Sequence, residues 1–329
     1  MLTIPVTDMP SREGFISCIF VTAIVLIWAG SFIFIRLALR EIPPATLALA
    51  RFSIASPLLA CYMLLTRQSR CPERFEWRKD LLLFASLGLT GVTLLYLLQF
   101  YSLRFITATV GSILINLNVI FTTLLSAAFL KEPITARKLV GVFLAFVGVT
   151  VLTTRGAPAS GLDSFESIGA LLMIGAALCW AAYSILGKNT LSRYSATAAT
   201  SATFCLGTLC LIPFAIAEAS YETLVNASWI TWFSILYLAI PSSAIAYLLW
   251  NHVLERVEVT KLAVSLYAIP LLTEIFSYVF LGEVITYALI LGGGFVIAGI
   301  YLTESSRDRG TGLGSKQEKQ KASKKSNQE

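Results

Sequence analysis

A carboxylate, several aromatic rings and a few amides lie inside otherwise apolar stretches of the sequence, where polar groups are costly and therefore informative. Glu274 is in the middle of PLLTEIFSYVF, and Tyr267 is two helical turns before it. Both side chains therefore fall on one face of a helix. A carboxylate there could bind the amine of a ligand or carry a coupling proton. The competing interpretation is a hydrogen-bonded packing residue.

A second polar row occupies an earlier apolar stretch of the chain. Asn116 and Thr123 precede Tyr267 and Glu274 by the same interval of 151 residues. Because the two rows recur at one offset, we expect them to face each other across a central space. Asn118 lies on an adjoining face of the same stretch. The alternative for both asparagines is a hydrogen bond that holds neighbouring helices together.

Aromatic rings and amides outside these rows suit a pocket for a small amphipathic metabolite. Trp28 and Trp180 occupy matched places in two apolar stretches. Their alternative is the aromatic belt at the membrane surface. The remaining candidates for substrate contact are Tyr96, Gln99, Tyr183 and Tyr247.

Few charged residues accompany these groups. Arg51 lies about 9 Å inside an apolar stretch, at ~1.5 Å per residue. It could attract an anionic group or extend its side chain to the surface. Glu132 and Glu283 end matching stretches, and we expect each to cap the next helix or to pair with a nearby Lys or Arg, and so to close a gate. Scattered cysteines and a single histidine, His252, offer no nucleophile–base or metal-ligand spacing. We therefore expect no catalytic residue, no metal and no cofactor, with proton coupling left open.

The elements that must position these residues are membrane-spanning helices. The chain of 329 residues is 56% hydrophobic and 13% charged, which is more apolar surface than a soluble protein of this size can bury. This composition excludes a soluble enzyme, a disordered protein and a nucleic-acid-binding domain. Runs of about 20 apolar residues are long enough to cross a bilayer. Ten such spans are predicted, at 16–37, 45–65, 81–101, 108–130, 138–154, 168–188, 197–217, 230–250, 261–281 and 286–303.

The distribution of Lys and Arg sets the expected orientation. These residues are concentrated in the loops 66–80 and 131–138 and in the tail 305–329, whereas the loops on the opposite side hold few. We therefore expect both termini to be cytoplasmic and the protein to be a multi-pass component of the plasma (inner) membrane. The tail is basic and has no apolar cluster, which is typical of a disordered segment.

The chain contains an internal repeat. LKEPIT at 130–135 recurs as LGEVIT at 281–286, and Tyr96 and Tyr247 are related by the same offset of 151. Each repeat holds five predicted helices, and an odd number requires the second copy to be inverted. Inverted repeats are typical of secondary transporters. The predicted segments are a cytoplasmic N-terminus (1–15), a first repeat (16–155), an outer loop (156–167), a second repeat (168–304) and the tail (305–329).

Small residues mark the fifth and tenth spans. Gly141-xxx-Ala145 and Gly294-xxx-Ala298 are faces that allow close helix approach. We expect them to pack inside the chain or, alternatively, to form a homodimer through these two spans.

The order of short motifs resembles the EamA-type family of the drug/metabolite transporter superfamily. LIWAGSFIFIRLAL, LALARFSIAS, LQFYSLRFITATVGSIL and LKEPIT in the first half are followed by CWAAYSILGK, LYAIPLLTEIFSYVFLGEVIT and GGGFVIAGIYL in the second. The resemblance implies an all-α integral membrane protein with ten helices and a central cavity lined by spans one, three, four, six, eight and nine. It also implies alternating access. Members of this family often have a proline in span four, where this chain has Val119 as the counterpart of Pro270.

These expectations converge on a transporter of small metabolites, not an enzyme. Amino acids or similar amphipathic compounds are the favoured substrates, and export is the favoured direction. The alternatives are an anion antiporter of sugar phosphates or nucleotide sugars and, from a different class, a channel or a membrane scaffold. The expected partners are a small-molecule substrate and the lipid bilayer, without nucleic acid.

Overall fold

A computed structural model of the chain describes residues 11–66, 77–106, 114–132, 134–154, 164–218, 221–269, 272 and 287–304. Within these residues every regular element is a helix. Six helical stretches are long and apolar enough to cross a membrane, namely Ile16–Ala38, Pro44–Leu65, Arg78–Ser102, Ser167–Leu191, Ala196–Glu218 and Trp229–Leu254. The chain is therefore a multi-pass membrane protein. The count of ten spans stays a prediction, because parts of spans four and nine lie outside the described residues.

The helices are numbered in chain order. They are α1 (Ser11–Ala38), α2 (Pro44–Thr66), α3 (Trp77–Gly88), α4 (Leu95–Ser102), α5 (Leu117–Leu125), α6 (Ala136–Thr154), α7 (Ser164–Leu191), α8 (Ala196–Glu218), α9 (Tyr221–Val225), α10 (Trp229–Ala239), α11 (Ala246–Leu254), α12 (Val259–Val264) and α13 (Tyr287–Glu304). A 3₁₀ turn, Ser265–Tyr267, follows α12, and a π-helical segment, Ser126–Leu130, follows α5.

Two further π-helical segments interrupt the third and eighth spans at equivalent places. Leu89–Leu94 joins α3 to α4, and Ile240–Ile245 joins α10 to α11. The two segments are related residue by residue through the offset of 151. Pro241 accounts for the second one, because proline has no N–H to donate and its ring collides with the preceding turn. A π segment widens the helix locally, and such segments occur frequently at functional sites.

The packing of the helices follows the repeat. Helix α2 packs on α8, and α6 packs on α13, so each pair joins equivalent helices of the two halves. Helix α4 packs on α7, and the equivalent pair is α11 on α1. The two halves are thus interleaved through contacts that occur in equivalent pairs.

Glycines allow α6 and α13 to come close together. A methyl group at Gly141 would collide with the Gly299 backbone and with Thr303, and one at Gly148 would collide with the Gly292 carbonyl. Spans five and ten therefore use these small residues for packing within one chain. Gly294 has open space around it. A homodimer through the outer faces of these two spans stays a prediction.

Candidate functional site

Six aromatic residues form a buried cluster between the two halves, which we call the aromatic cluster. Trp28 and Trp180 meet edge to face with ring centroids 5.2 Å apart, and Trp180 and Trp250 are equally close. Tyr247 contacts both Trp28 and Trp180. The members are Trp28, Tyr96, Trp180, Tyr183, Tyr247 and Trp250. Five of these six are sequence-predicted contact residues, and α1, α4, α7 and α11 supply the six between them.

A chain of hydrogen bonds crosses this cluster. Arg51 donates through Nη2 to the Tyr96 hydroxyl at 3.1 Å, and the Tyr96 and Tyr247 hydroxyls are 2.9 Å apart. Tyr247 donates to the Gly91 carbonyl at 3.1 Å. Because Tyr247 uses its proton on Gly91, Tyr96 must donate to Tyr247. The protons therefore point in one direction, from Arg51 to the π segment of the third span.

The two π segments each present an equivalent carbonyl to the aromatic cluster. The Gly91 carbonyl accepts from Tyr247, whereas the Ser242 carbonyl accepts from Trp28 Nε1 at 3.0 Å. Gly91 and Ser242 are related by the offset of 151, and Trp180 matches Trp28. Trp180 Nε1 is nevertheless buried without a hydrogen-bond partner among the described residues. The two halves thus bond their equivalent carbonyls differently.

Arg51 lies at the edge of the aromatic cluster and is 1% exposed. Its Nε donates to Ser243 Oγ at 2.5 Å, and Nη2 donates to Ser242 Oγ at 3.2 Å. The guanidinium carbon is 4.3 Å from the centroid of the Tyr96 ring. The side chain therefore points into the bundle and does not extend to the membrane surface. Both serines lie midway along the span Trp229–Leu254.

An amide network adjoins the cluster on the side of α8. Asn251 Nδ2 donates to Thr200 Oγ1 at 2.7 Å and to the Tyr183 hydroxyl at 2.9 Å. This network fixes the ring of Tyr183 against Gly91, where a methyl group would collide with it. Tyr183 therefore connects the second half to the π segment of the first half.

The predicted row in the fourth span is only partly described. Asn116 and Asn118 are both buried, and Asn118 Nδ2 donates to the Ile115 carbonyl at 2.6 Å. Asn118 Oδ1 is buried without a partner among the described residues. Gln99 is buried in α4, one turn after Tyr96. The roles of these amides as substrate contacts stay predictions.

Tyr267 lies in a second apolar cluster. It packs in the region of Val119, Ala145 and Val296, where α5 and α12 meet α6 and α13. Its hydroxyl is buried without a partner in the described part of the chain. Glu274 and Glu283 lie outside the described residues, so the expected facing of the two polar rows stays a prediction.

Glu132 caps a helix at the predicted cytoplasmic end of the bundle, but this helix is α12 of the other half and not the next helix, α6, as expected. Its carboxylate accepts from the Val259 amide at 3.0 Å and from the Thr260 hydroxyl at 3.0 Å, at the first turn of α12. Lys138 supports the same turn through an ion pair of 2.8 Å with Glu258. A carboxylate is favourable at this position because helix N-termini carry unsatisfied N–H groups and a partial positive charge.

A matching cap is present at the predicted outer end. Glu218, the last residue of α8, accepts from the Ala45 and Thr46 amides at 3.0 and 2.8 Å, and the Tyr101 hydroxyl donates to it at 2.6 Å. Glu41 accepts from the Ser228 amide and hydroxyl nearby. These hydrogen bonds from Ser228 lower the pKa of the Glu41 carboxyl below its ordinary value. Both ends of the bundle are thus joined by carboxylate caps between different spans.

Several of these residues were not predicted as site residues. Ser242, Ser243 and Trp250 are recognisable as site residues only from their contacts in the folded structure. The sequence does carry one signal, because Ser242 is the counterpart of Gly91 at the offset of 151 and the serine pair interrupts an apolar span. Glu218 is the last residue of its span, and the equivalent position in the first half is not acidic. The repeat therefore does not indicate that Glu218 caps a helix.

Known proteins match this chain over most of its length. Residues 15–154 and 167–305 each match the model of the EamA-like transporter family. A relative from Archaeoglobus fulgidus, named "uncharacterized transporter", is 40% identical over 286 residues, which are 86% of this chain and 95% of the relative.

Two relatives carry names that mention amino acids. A "probable terminal-alkyne amino-acid exporter" of Streptantibioticus cattleyicolor is 29% identical and covers 84% of this chain and 90% of its own length. A "probable amino-acid metabolite efflux pump" of Salmonella typhimurium is 26% identical, covering 89% and 95%.

A crystal structure of another protein superposes with a TM-score of 0.68 at 20% identity and covers 87% of this chain and 95% of that one. At this identity the likeness shows the fold. The family model matches each half of the chain separately, and the archaeal relative is 40% identical over most of the chain. The chain belongs to the EamA-like transporter family.

Proposed function

We propose that this protein is a secondary transporter that exports amino acids or similar small amphipathic metabolites across the plasma membrane by alternating access. The observation that carries the proposal is the aromatic cluster between two equivalent π segments, at the middle of the bundle. Aromatic walls with a few fixed polar groups are typical of sites for small amphipathic ligands. The two relatives named for amino-acid export support this choice of substrate class.

The unequal bonding of the two π segments suggests how access alternates. Inverted repeats can exchange their conformations, so that each half adopts the arrangement of the other. In the exchanged state Trp180 Nε1 donates to the Gly91 carbonyl, and Tyr96 donates to the Ser242 carbonyl. Trp28 then loses its partner. The number of tryptophan hydrogen bonds is conserved, which keeps the two states close in free energy, as transport requires.

Flux measurements in liposomes test the proposal. Purified protein is reconstituted, and the uptake of a panel of radiolabelled amino acids and neutral metabolites is compared with that of empty liposomes. The Tyr247→Phe variant removes the hydroxyl that joins Tyr96 to Gly91, and we expect it to lower flux at least tenfold. Trp232→Phe, on an exposed surface of α10, is the matched control and should transport normally.

Other outcomes would favour the alternatives. Flux of phosphate esters with strong stimulation by the same esters on the opposite side would favour an anion antiporter. Continuous ionic current in planar bilayers would favour a channel. If folded protein transports no member of a broad panel, this result would contradict the proposal and favour a membrane scaffold.

A further inference from the structure

We propose that Arg51 is the anchor for the carboxylate group of the transported substrate. This inference rests on the proposed function and adds to it a named chemical requirement: the substrate carries one carboxylate, which binds to the guanidinium beside the aromatic cluster.

The charge of Arg51 has no compensation within the described part of the chain. Its three hydrogen bonds to described residues go to the neutral hydroxyls of Ser243, Ser242 and Tyr96, and it forms no ion pair with a described acidic residue. A cation buried in a membrane without a counter-charge is unfavourable, and such residues usually mark a substrate or ion pathway. A bound anion would supply the missing charge.

The guanidinium also retains donors for a ligand. It has five N–H groups, and Nε and Nη2 supply the three hydrogen bonds to Ser243, Ser242 and Tyr96. The two N–H groups of Nη1 donate to no described residue. Ser243 holds the arginine in place, because its own hydroxyl donates to the Leu238 carbonyl at 2.8 Å and so must accept from Nε. The guanidinium is therefore fixed in position, and Nη1 is not used in hydrogen bonds to the described part of the chain.

The surroundings of Arg51 fit a singly charged amphipathic ligand. Tyr96 and Ser242 connect it directly to the aromatic cluster, since the Ser242 hydroxyl accepts from Arg51 and the Ser242 carbonyl accepts from Trp28. A carboxylate on Arg51 would therefore place the rest of an amino acid against aromatic rings. Among the described residues, Arg51 is the cation in contact with this cluster, so one positive charge is available to a ligand. A phosphate monoester carries between one and two negative charges near pH 7 and is matched less well than a carboxylate.

Paired ligands test this inference. Binding of L-amino acids and of the corresponding amino-acid amides, which keep the ammonium group and side chain but lack the carboxylate, is measured by isothermal titration of detergent-solubilised protein. A charge-assisted pair lost on amidation predicts about 10- to 100-fold weaker binding of the amide to the wild-type protein. In Arg51→Gln we expect the acid to bind no better than the amide. Arg36→Gln, at an exposed position near the end of α1, is the control and should keep the wild-type preference.

Each remaining result has a defined meaning. An undiminished preference for the acid in Arg51→Gln would overturn the inference, and so would equal binding of acid and amide by the wild-type protein, which leaves the proposed function intact. If the wild-type protein binds no member of the panel, the proposed function fails and the inference fails with it. If Arg51→Gln does not fold, Arg51→Lys replaces it. Its shorter ammonium should give an intermediate preference, and an unchanged one would overturn the inference.

Discussion

The two equivalent tryptophans offer a direct perturbation of the proposed exchange. Trp28 Nε1 bonds to the Ser242 carbonyl at 3.0 Å, whereas Trp180 Nε1 has no partner among the described residues. Replacing either tryptophan by phenylalanine removes similar apolar area. Only Trp28→Phe, however, breaks a hydrogen bond of this conformation, and Trp180→Phe removes a buried donor that is unsatisfied in it.

The expected free-energy difference follows from the cost of a broken buried hydrogen bond. Leaving the Ser242 carbonyl without this donor costs about 1–3 kcal/mol. Trp28→Phe should therefore shift the population away from this conformation by about 5- to 150-fold relative to the wild-type protein. The two variants should move the equilibrium in opposite directions from the wild-type protein, because the exchanged state uses Trp180 in place of Trp28.

Thiol labelling measures this shift. The six native cysteines are replaced by alanine, and a reporter is introduced as Ala45→Cys at the predicted outer end or Val259→Cys at the predicted cytoplasmic end. Both positions are buried beside a helix cap. The ratio of the two labelling rates should change in opposite directions in Trp28→Phe and Trp180→Phe. Changes of equal size in the same direction would refute the exchange.

Three further predictions concern other parts of the bundle. Gly91→Ala should lower stability by about 1–3 kcal/mol and reduce flux, because its methyl group collides with the Tyr183 ring; Gly294→Ala, in open space, should be neutral by thermal unfolding. Glu218→Gln should cost about 1–2 kcal/mol of stability through the weakened cap of α2, and an unchanged unfolding midpoint would contradict this role. If Glu274 carries the coupling proton, Glu274→Gln should abolish the dependence of flux on a pH gradient, and preserved pH-driven uptake would reject that role.

The repeat is the part of the fold that the sequence predicts best. Short motifs at one constant offset relate the halves, and the structure pairs α2 with α8 and α6 with α13 accordingly. Apolar length also predicts the long spans well, since the cost of exposing backbone groups to lipid leaves few alternatives to a helix. Trp28, Trp180 and Tyr247 could be anticipated from the repeat, because Trp28 and Trp180 occupy matched places and Tyr247 matches Tyr96 at the offset of 151.

The π segments could not be predicted from hydropathy. Pro241 offers a local cause in the eighth span, but its counterpart Thr90 offers none in the third. In the third span the Gly91 carbonyl accepts a hydrogen bond from Tyr247, which belongs to the other half of the chain. Such a donor is supplied by tertiary packing, so single-span patterns do not contain the information.

The sequence also does not determine where a side chain lies when two environments suit it equally well. Arg51 could reach the membrane surface or the interior with equal ease by length alone, and the choice depends on hydroxyl acceptors from the eighth span. The sequence predicts Tyr267 on one helix face with Glu274, and in the structure Tyr267 packs beside Val119 and Val296. A shared helix face indicates in which direction side chains point, but it does not identify the residues that pack against them.

Solute counterflow tests the central claim, alternating access through the site between the two π segments, most directly. Liposomes are preloaded with an excess of an unlabelled amino acid, and the entry of the labelled form is followed after dilution. A carrier with one site exposed alternately to each side predicts transient accumulation of label above equilibrium, abolished by Tyr247→Phe. Label that only approaches equilibrium, without overshoot, in protein shown to conduct the same amino acid would contradict alternating access.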